Sequence, residues 1–325
     1  MNITRADVRG VVGIVPTPAT SDADSWRATK TVNTHETEKM VEAVIGAGIE
    51  ILMSTGTFGE CASLTHDEWL TFTTCVADVV ADRVPFFAGV TTLNTRDTIA
   101  RGREALAAGA DGLFIGRPMW LPLDDAATVR FYRDICEALP SFPVVIYDNP
   151  AAFKGKISVE AYHQLAALPA IVATKHAGGP TLVRDIQAVG DKVAVLPLDS
   201  DWYDAARRFP DLATACWSGN VACAPSPLAA LSRAVLSRDW ATAETISKKV
   251  NWALAPQFGG DMSRFMDYSI PMGRARFRGA GLINPGPSRP PYTEAPTEMI
   301  EGGEETGRRW AELEKEFRDR LSETA

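Results

Sequence analysis

The stretch Ile171-Val-Ala-Thr-Lys175-His-Ala-Gly178 sets an apolar, β-branched run directly against a lysine and then a turn of small residues. Read as a buried strand, it holds Lys175 at its C-terminal tip, half within an apolar core. Desolvation disfavours the ammonium form, so the pKa of such a lysine is drawn towards neutrality and its amine becomes a nucleophile. That chemistry suits a Schiff-base lysine attacking a ketone. A lysine just past a strand end is also a common solvated side chain. The choice depends on what the rest of the chain builds around it.

Working outward, the same module recurs eight times: a short β-branched apolar run, a polar or Gly/Pro-rich loop, then a stretch of helical periodicity. The runs fall at residues 11–15, 49–54, 86–91, 112–115, 144–147, 171–174, 193–196 and 213–217. Most are continuously apolar, as strands covered on both faces are. Residues 37–47, 67–81, 96–108, 126–139 and 159–168 carry apolar side chains at helical spacing, and Asn33 with Glu36 and Thr65 with Glu68 are spaced as capping boxes. Gly48, Pro140 and Pro169 close helices just before the next strand. Eight such units in about 220 residues predict an α/β fold, a (β/α)8 TIM barrel, whose usual size is about 250 residues. An open doubly wound sheet is the alternative, but no G-x-G-x-x-G follows an early strand.

Beyond Asn220 the pattern turns all-helical, over residues 227–237, 240–255 and 262–279. A Pro-rich span, Asn284-Pro-Gly-Pro-Ser-Arg-Pro-Pro-Tyr292, is too poor in donors for regular structure. In the tail, residues 304–321 place Trp310, Leu313, Phe317 and Leu321 on one helical face. That stripe predicts a helix docked on its own barrel or on a neighbouring subunit. The expected organisation is a catalytic barrel over residues 1–222 and a C-terminal helical extension over 223–325 that packs on the barrel and is no independent domain.

Composition sets bounds. A chain of 325 residues with 46% hydrophobic content can bury a large core. Its net charge of −8 argues against nucleic acid or an anionic membrane as partners. The five cysteines are odd in number and lack a C-x-x-C pair, so they read as free thiols in a reducing cytoplasm. The four histidines have no ligand spacing, so no metal is expected. Neither a signal peptide nor a run of about twenty apolar residues is visible.

In a barrel, chemistry sits at the C-terminal ends of the strands. Here those ends gather polar residues: Thr55-Gly-Thr-Phe-Gly-Glu60, Tyr147-Asp-Asn-Pro150, Lys175-His176 and Trp217-Ser-Gly-Asn220. Strands five and six are neighbours, so the Tyr147 phenol and the Lys175 amine can reach one carbon. The glycine-flanked turn can aim successive N–H groups into the mouth as a small anion nest. Amine, phenol and nest together suit a 2-oxo acid. A nearby lysine or iminium cation is expected to lower the phenol's pKa and make it a usable base.

At these residues the chain resembles the N-acetylneuraminate lyase / dihydrodipicolinate synthase group of class I aldolases, which are Schiff-base (β/α)8 barrels and usually tetrameric. The resemblance covers about residues 10–290 and rests on Gly56-Thr-Phe-Gly-Glu60, Tyr147-Asp-Asn-Pro150 and the strand-six lysine. It implies Lys175 as Schiff-base residue, Tyr147 as acid/base, and Thr57 with the Gly56 and Phe58 amides as the carboxylate grip. It implies no cofactor beyond the covalent Schiff base, pyruvate as a product or partner, and a homotetramer.

Two departures narrow the match. Phe58 stands where the family has a threonine that relays protons to the tyrosine, so a water or Thr91 would take that part. The synthase members' arginine after the strand-five tyrosine is missing, because the turn reads Asp148-Asn-Pro-Ala-Ala152. Within the family, Thr57-Phe-Gly-Glu-Cys-Ala62, Asn149-Pro150, Cys216-Trp-Ser218 and Gly286-Pro-Ser-Arg-Pro-Pro-Tyr292 are similar to the hydratase-aldolases of aromatic-hydrocarbon breakdown. That branch acts on benzylidenepyruvates. It implies Asn149 as a water-orienting residue; Trp217, Ser218, Gly219 and Trp120 as pocket walls; and Ser269 closing the site from the C-terminal helices. Glu60 reads as structural, a cap of the turn that follows it. His176 is either a partner for an anionic ring substituent or a hydrogen-bonding group behind strand six. His176, Lys154 and Arg117 together favour an ortho-carboxy ring over an ortho-hydroxy one. A sugar-acid lyase or dehydratase, which calls for a hydroxyl-lined pocket, and a catalytically silent 2-oxo-acid sensor are the competing readings.

Overall fold

The computed structural model describes residues 3–258 and 262–323. Its eight strands are β1 (Gly10–Ile14), β2 (Ile51–Met53), β3 (Phe86–Gly89), β4 (Gly112–Gly116), β5 (Val144–Tyr147), β6 (Ile171–Lys175), β7 (Ala194–Leu196) and β8 (Ala215–Ser218). All pair in parallel, in the order β7-β6-β5-β4-β3-β2-β1-β8. The last seam closes where Leu198 bridges Trp217, the Trp217 N–H donating to the Pro197 carbonyl and the Asp199 N–H to that of Trp217. The result is the expected (β/α)8 barrel. Seven helices lie between the strands: α1 (Thr34–Gly46), α2 (His66–Val80), α3 (Thr95–Ala107), α4 (Asp125–Ala138), α5 (Val159–Leu165), α6 (Leu182–Val189) and α7 (Trp202–Arg208).

Helix starts follow from local chemistry. Thr65 and Glu68 form both halves of a capping box on α2. Asn33 caps α1 through the Glu36 N–H alone, because the Glu36 carboxylate accepts the Asn284 N–H at 2.8 Å instead of returning to the cap. Two apolar layers result. One fills the barrel with Val12, Ile14, Phe87, Phe114, Val145 and Ala173, and the other lies between the strands and the surrounding helices. Side chains alternate along a strand, so Lys175, two residues beyond Ala173, shares the inward face.

Five more helices follow: α8 (Pro225–Leu236), α9 (Trp240–Phe258), α10 (Met262–Asp267), α11 (Ser269–Ala280) and α12 (Thr297–Glu323). The single helix expected over residues 262–279 is two, broken at Tyr268. Pro271 explains the break: it fits the first turn of α11, whereas in a continuous helix it would leave a carbonyl unpaired and clash. The tail helix begins earlier than expected, at Thr297, running through Gly302 and Gly303. These glycines serve close helix crossing: a Cβ on Gly303 would lie 2.6 Å from the Met272 carbonyl oxygen. The α12 stripe packs against α8, α9 and α11 of the same chain, with Trp310, Leu313 and Phe317 buried; the side chain of Leu321 lies outside the described residues. No described helix is long and apolar enough to cross a membrane.

Because Trp310 is fully buried within one continuous apolar layer, Trp310→Ala is expected to destabilise the fold by about 3–5 kcal/mol. Denaturant unfolding measures this. A loss below about 1 kcal/mol would mean that α12 contributes little to the chain's own core.

Candidate functional site

Registry across the β5–β6 pair sets Tyr147 directly opposite Lys175. Both side chains are buried, Lys175 at 7% exposure. The Lys175 Nζ lies 3.5 Å from the centroid of the Trp217 ring and 4.5 Å from that of Tyr147, between two aromatic faces. The Trp217 indole is fixed by its Nε1–H, which donates to the His176 carbonyl at 2.8 Å. Burial draws the Lys175 pKa down to about 7 against a smaller upward pull from Asp148. That pull is weak because Asp148 is already engaged: Arg117, Lys156 and the Tyr162 hydroxyl all donate to its carboxylate.

The Tyr147 hydroxyl meets Thr57 Oγ1 at 2.6 Å and accepts from Asn149 Nδ2 at 3.2 Å. Thr57 is thus the hydroxyl in contact with the phenol. Thr91, considered for that place, instead accepts the Gly116 N–H at 2.9 Å. The phenol's pKa is raised by burial, with Thr57 and Asn149 pulling the other way. This corrects the expectation that the lysine lowers it. In the free protein the burial of the phenol outweighs the pull of these neighbours.

The turn after β2 is held under strain. Thr55 and Glu60 adopt left-handed backbone conformations, with φ of 46° and 57°. Gly59 between them has no room for a side chain, since a Cβ there would sit 2.7 Å from the Thr55 Cα. What pins the turn is Glu60, fully buried and paired with both Arg274 of α11 and Arg289 of the Pro-rich span. The Glu60 carboxylate thus anchors the C-terminal segment and does not cap the turn that follows it, a correction to the sequence expectation. Gly56 packs beneath the rings of Phe114 and Tyr147, and Phe58 lies against Gly219 and Gly273.

Two cavities meet at Asn149. One, of about 150 Å³, is lined by Lys175, Phe58, Trp217, Gly219, Phe265 and Arg276 among others. The other, of about 340 Å³, borders Thr57, Met119, Met266, Ser269 and Tyr292. Ser269 is therefore at the site's edge, its hydroxyl bonded to the Met266 carbonyl. Ser218 is buried with its hydroxyl on Asp199 at 2.5 Å. Trp120 is not brought to this group: it is 74% exposed and borders a different groove with Leu93 and Leu121.

His176 is resolved in favour of its second reading. Its Nε2 bonds Asp185 at 2.9 Å and its Nδ1 accepts the Gly178 N–H, so the ring is saturated behind β6. Burial lowers its pKa. The other cations weighed for the ring substituent are also engaged elsewhere, Arg117 on Asp148 and Lys154 on the Trp120 carbonyl. The guanidinium that borders the lysine's cavity is Arg276, which the sequence reading missed. Asp148 was missed too, although it follows Tyr147 directly. Neither carried a local signal, because their importance comes from what α11 and β5 bring together.

With the amine titrating near pH 7, its condensation with a 2-oxo acid is expected to speed up with rising pH through that midpoint and to level off above it. Below the midpoint the amine is protonated and cannot attack. Rapid reductive trapping across pH measures this, and a midpoint near the ordinary lysine value of about 10 would refute the desolvated site.

Comparison with known proteins then adds independent findings. Residues 12–258 match the dihydrodipicolinate synthetase family. The chain is 47% identical over 326 residues to the trans-2'-carboxybenzalpyruvate hydratase-aldolase of Nocardioides sp. (strain KP7), covering 99% of this chain and 98% of that one. It is 42% identical over 314 residues to the trans-O-hydroxybenzylidenepyruvate hydratase-aldolase of Sphingobium xenophagum, covering 95% of each. A solved structure of PhdJ bound to a substrate intermediate superposes with a TM-score of 0.95 at 49% identity, covering 98% of this chain and 99% of that one.

Proposed function

The chain belongs to the dihydrodipicolinate synthetase family, and from that premise we propose that it is a Schiff-base hydratase-aldolase of aryl-ylidenepyruvates. Its substrate is of the 2'-carboxybenzalpyruvate or o-hydroxybenzylidenepyruvate type, its products are an aromatic aldehyde and pyruvate, and its setting is aromatic-hydrocarbon breakdown. The observation that carries this reading is Lys175, desolvated between Trp217 and Tyr147 and directly opposite the latter in register. The names and near-complete coverage of its relatives support it. A sugar-acid lyase would need a pocket of hydroxyls, whereas Phe58, Leu198, Trp217, Leu254 and Phe265 border this one.

In the proposed reaction, the Lys175 amine attacks the ketone of Ar-CH=CH-CO-COO⁻ and expels water, leaving an iminium conjugated to the alkene. Thr57 and the amides of Gly56 and Phe58 hold the carboxylate. The conjugated cation makes the benzylic carbon electrophilic, and a water oriented by Asn149 adds there. The resulting enamine takes a proton at the adjacent carbon and becomes an iminium again. The cation beside Tyr147 now lowers the phenol's pKa, and the phenolate is further favoured by its contacts to Thr57 and Asn149. Tyr147 removes the benzylic hydroxyl's proton, the C–C bond breaks, and its electrons pass into the iminium as an enamine. The aldehyde leaves, and protonation and hydrolysis release pyruvate and the free amine. Overall one water is consumed. Holding water, iminium and base in one dry site supplies the acceleration.

No cofactor enters this scheme, since the electron sink is the Schiff base itself. We infer that the catalytic barrel comprises residues 1–222 and that residues 223–325 are no independent domain; the apolar layer shared by α8, α9 and α12 with the barrel supports this. Five free thiols fit a reducing cytoplasm. Homotetrameric assembly belongs to the same reading, supported by the exposed Leu93, Trp120 and Leu121 gathered round one groove.

Lys175→Ala is expected to abolish release of aldehyde and pyruvate from either ortho-substituted substrate. Tyr147→Phe is expected to lower kcat by about 10²–10⁴-fold while still forming the Schiff base. A coupled pyruvate assay reads both. Appreciable turnover by Lys175→Ala would sink the proposal.

A further inference from the structure

The described residues include four buried arginines: Arg117, Arg274, Arg276 and Arg289. A buried guanidinium without a counter-charge is strongly unfavourable. Three of the four meet that cost with a carboxylate, Arg117 with Asp148, and Arg274 and Arg289 sharing Glu60. Arg276 differs. It is 3% exposed, and its hydrogen bonds go to uncharged oxygens: Nη1 donates to Asn220 Oδ1 at 2.9 Å and to Gln257 Oε1 at 3.3 Å, and Nη2 to the Gly219 carbonyl at 3.2 Å. Its Nε is buried without a partner. Among the described residues no carboxylate bonds the guanidinium directly; the buried Asp199, which borders the same cavity, acts on it through space and accepts from Asn220, Ser218 and the Ser200 N–H.

A guanidinium offers five donors. Three are in use here, which leaves Nε–H and one Nη2–H. Arg276 borders the same cavity as Lys175 and Trp217, with its guanidinium 4.7 Å from the centroid of Phe58. Apolar walls for an aryl ring and a cation with no directly bonded carboxylate among the described residues therefore stand around one space.

We propose that Arg276 determines specificity at the ring, its guanidinium taking an anionic ortho substituent, so that the chain prefers an ortho-carboxy aryl-ylidenepyruvate to the ortho-hydroxy one. This rests on the function proposed above and fixes the ring chemistry that it leaves open. A carboxylate presents two charged acceptor oxygens to a guanidinium in a site shielded from water. A neutral hydroxyl at that place leaves the buried charge with only the through-space pull of Asp199.

The test compares kcat/KM for the ortho-carboxy and ortho-hydroxy substrates in wild type, Arg276→Met and Gln257→Glu. The ratio within one sample does not depend on the folded fraction. Gln257→Glu keeps the guanidinium and sets a carboxylate against Nη1, satisfying the charge from within. Wild type is expected to favour the carboxy substrate by about ten-fold or more. Both variants are expected to lower that preference by about ten-fold or more, chiefly through KM for the carboxy substrate. A ratio unchanged in both variants, or a wild-type ratio at or below one, overturns the role of Arg276. Turnover of neither substrate by wild type would instead overturn the functional reading, and this inference with it.

Discussion

Everything in the site depends on keeping one amine out of water without giving it an anion of its own. Lys175 sits between two aromatic faces, and the one carboxylate that acts on it, Asp148, is committed to Arg117, Lys156 and Tyr162. Were Asp148 unpaired in that low-dielectric setting, it would hold the lysine as an ammonium ion and end its nucleophilicity. Desolvation wins because the counter-charge is spent elsewhere. The network behind β5 and β6 continues through Lys156, which pairs with Asp148 and also with the Asp185 that holds His176.

The same economy governs the phenol. In the free protein Tyr147 is a poor base, raised by burial. It becomes useful only when a cation forms beside it, which ties the base to the covalent intermediate. Thr57 and Asn149 already hold the phenolic oxygen, so little reorganisation is needed when that happens. On the opposite side, Glu60 draws Arg274 and Arg289 onto the strained β2 turn and so fixes Thr57. The C-terminal helices are therefore part of the site, contributing Phe265, Ser269 and Arg276 as well as this clamp.

Much of this was legible in the sequence. Continuous apolar runs gave the strands, and the position of Lys175 and Tyr147 at adjacent strand ends gave their meeting, because parallel barrel order makes neighbours of consecutive strands. Elements governed by distant packing were harder to read. The tail helix, expected from residue 304, starts at Thr297, and Gly302 and Gly303 within it allow the close crossing of α12. Pro271 ended a helix that periodicity alone would have continued. Glu60 reads locally as a cap of the next turn, yet its carboxylate's partners lie more than two hundred residues away. Arg276 could not be distinguished from other arginines until α11 was seen to deliver it to the lysine's cavity. His176, adjacent to Lys175 in sequence, points behind the sheet because side chains alternate along a strand.

The most direct test is peptide mapping after borohydride reduction of the protein with pyruvate. The account predicts a single reduced adduct, carried on Lys175 and absent without pyruvate. An adduct on another lysine such as Lys154 or Lys156, or no adduct at all, would contradict it.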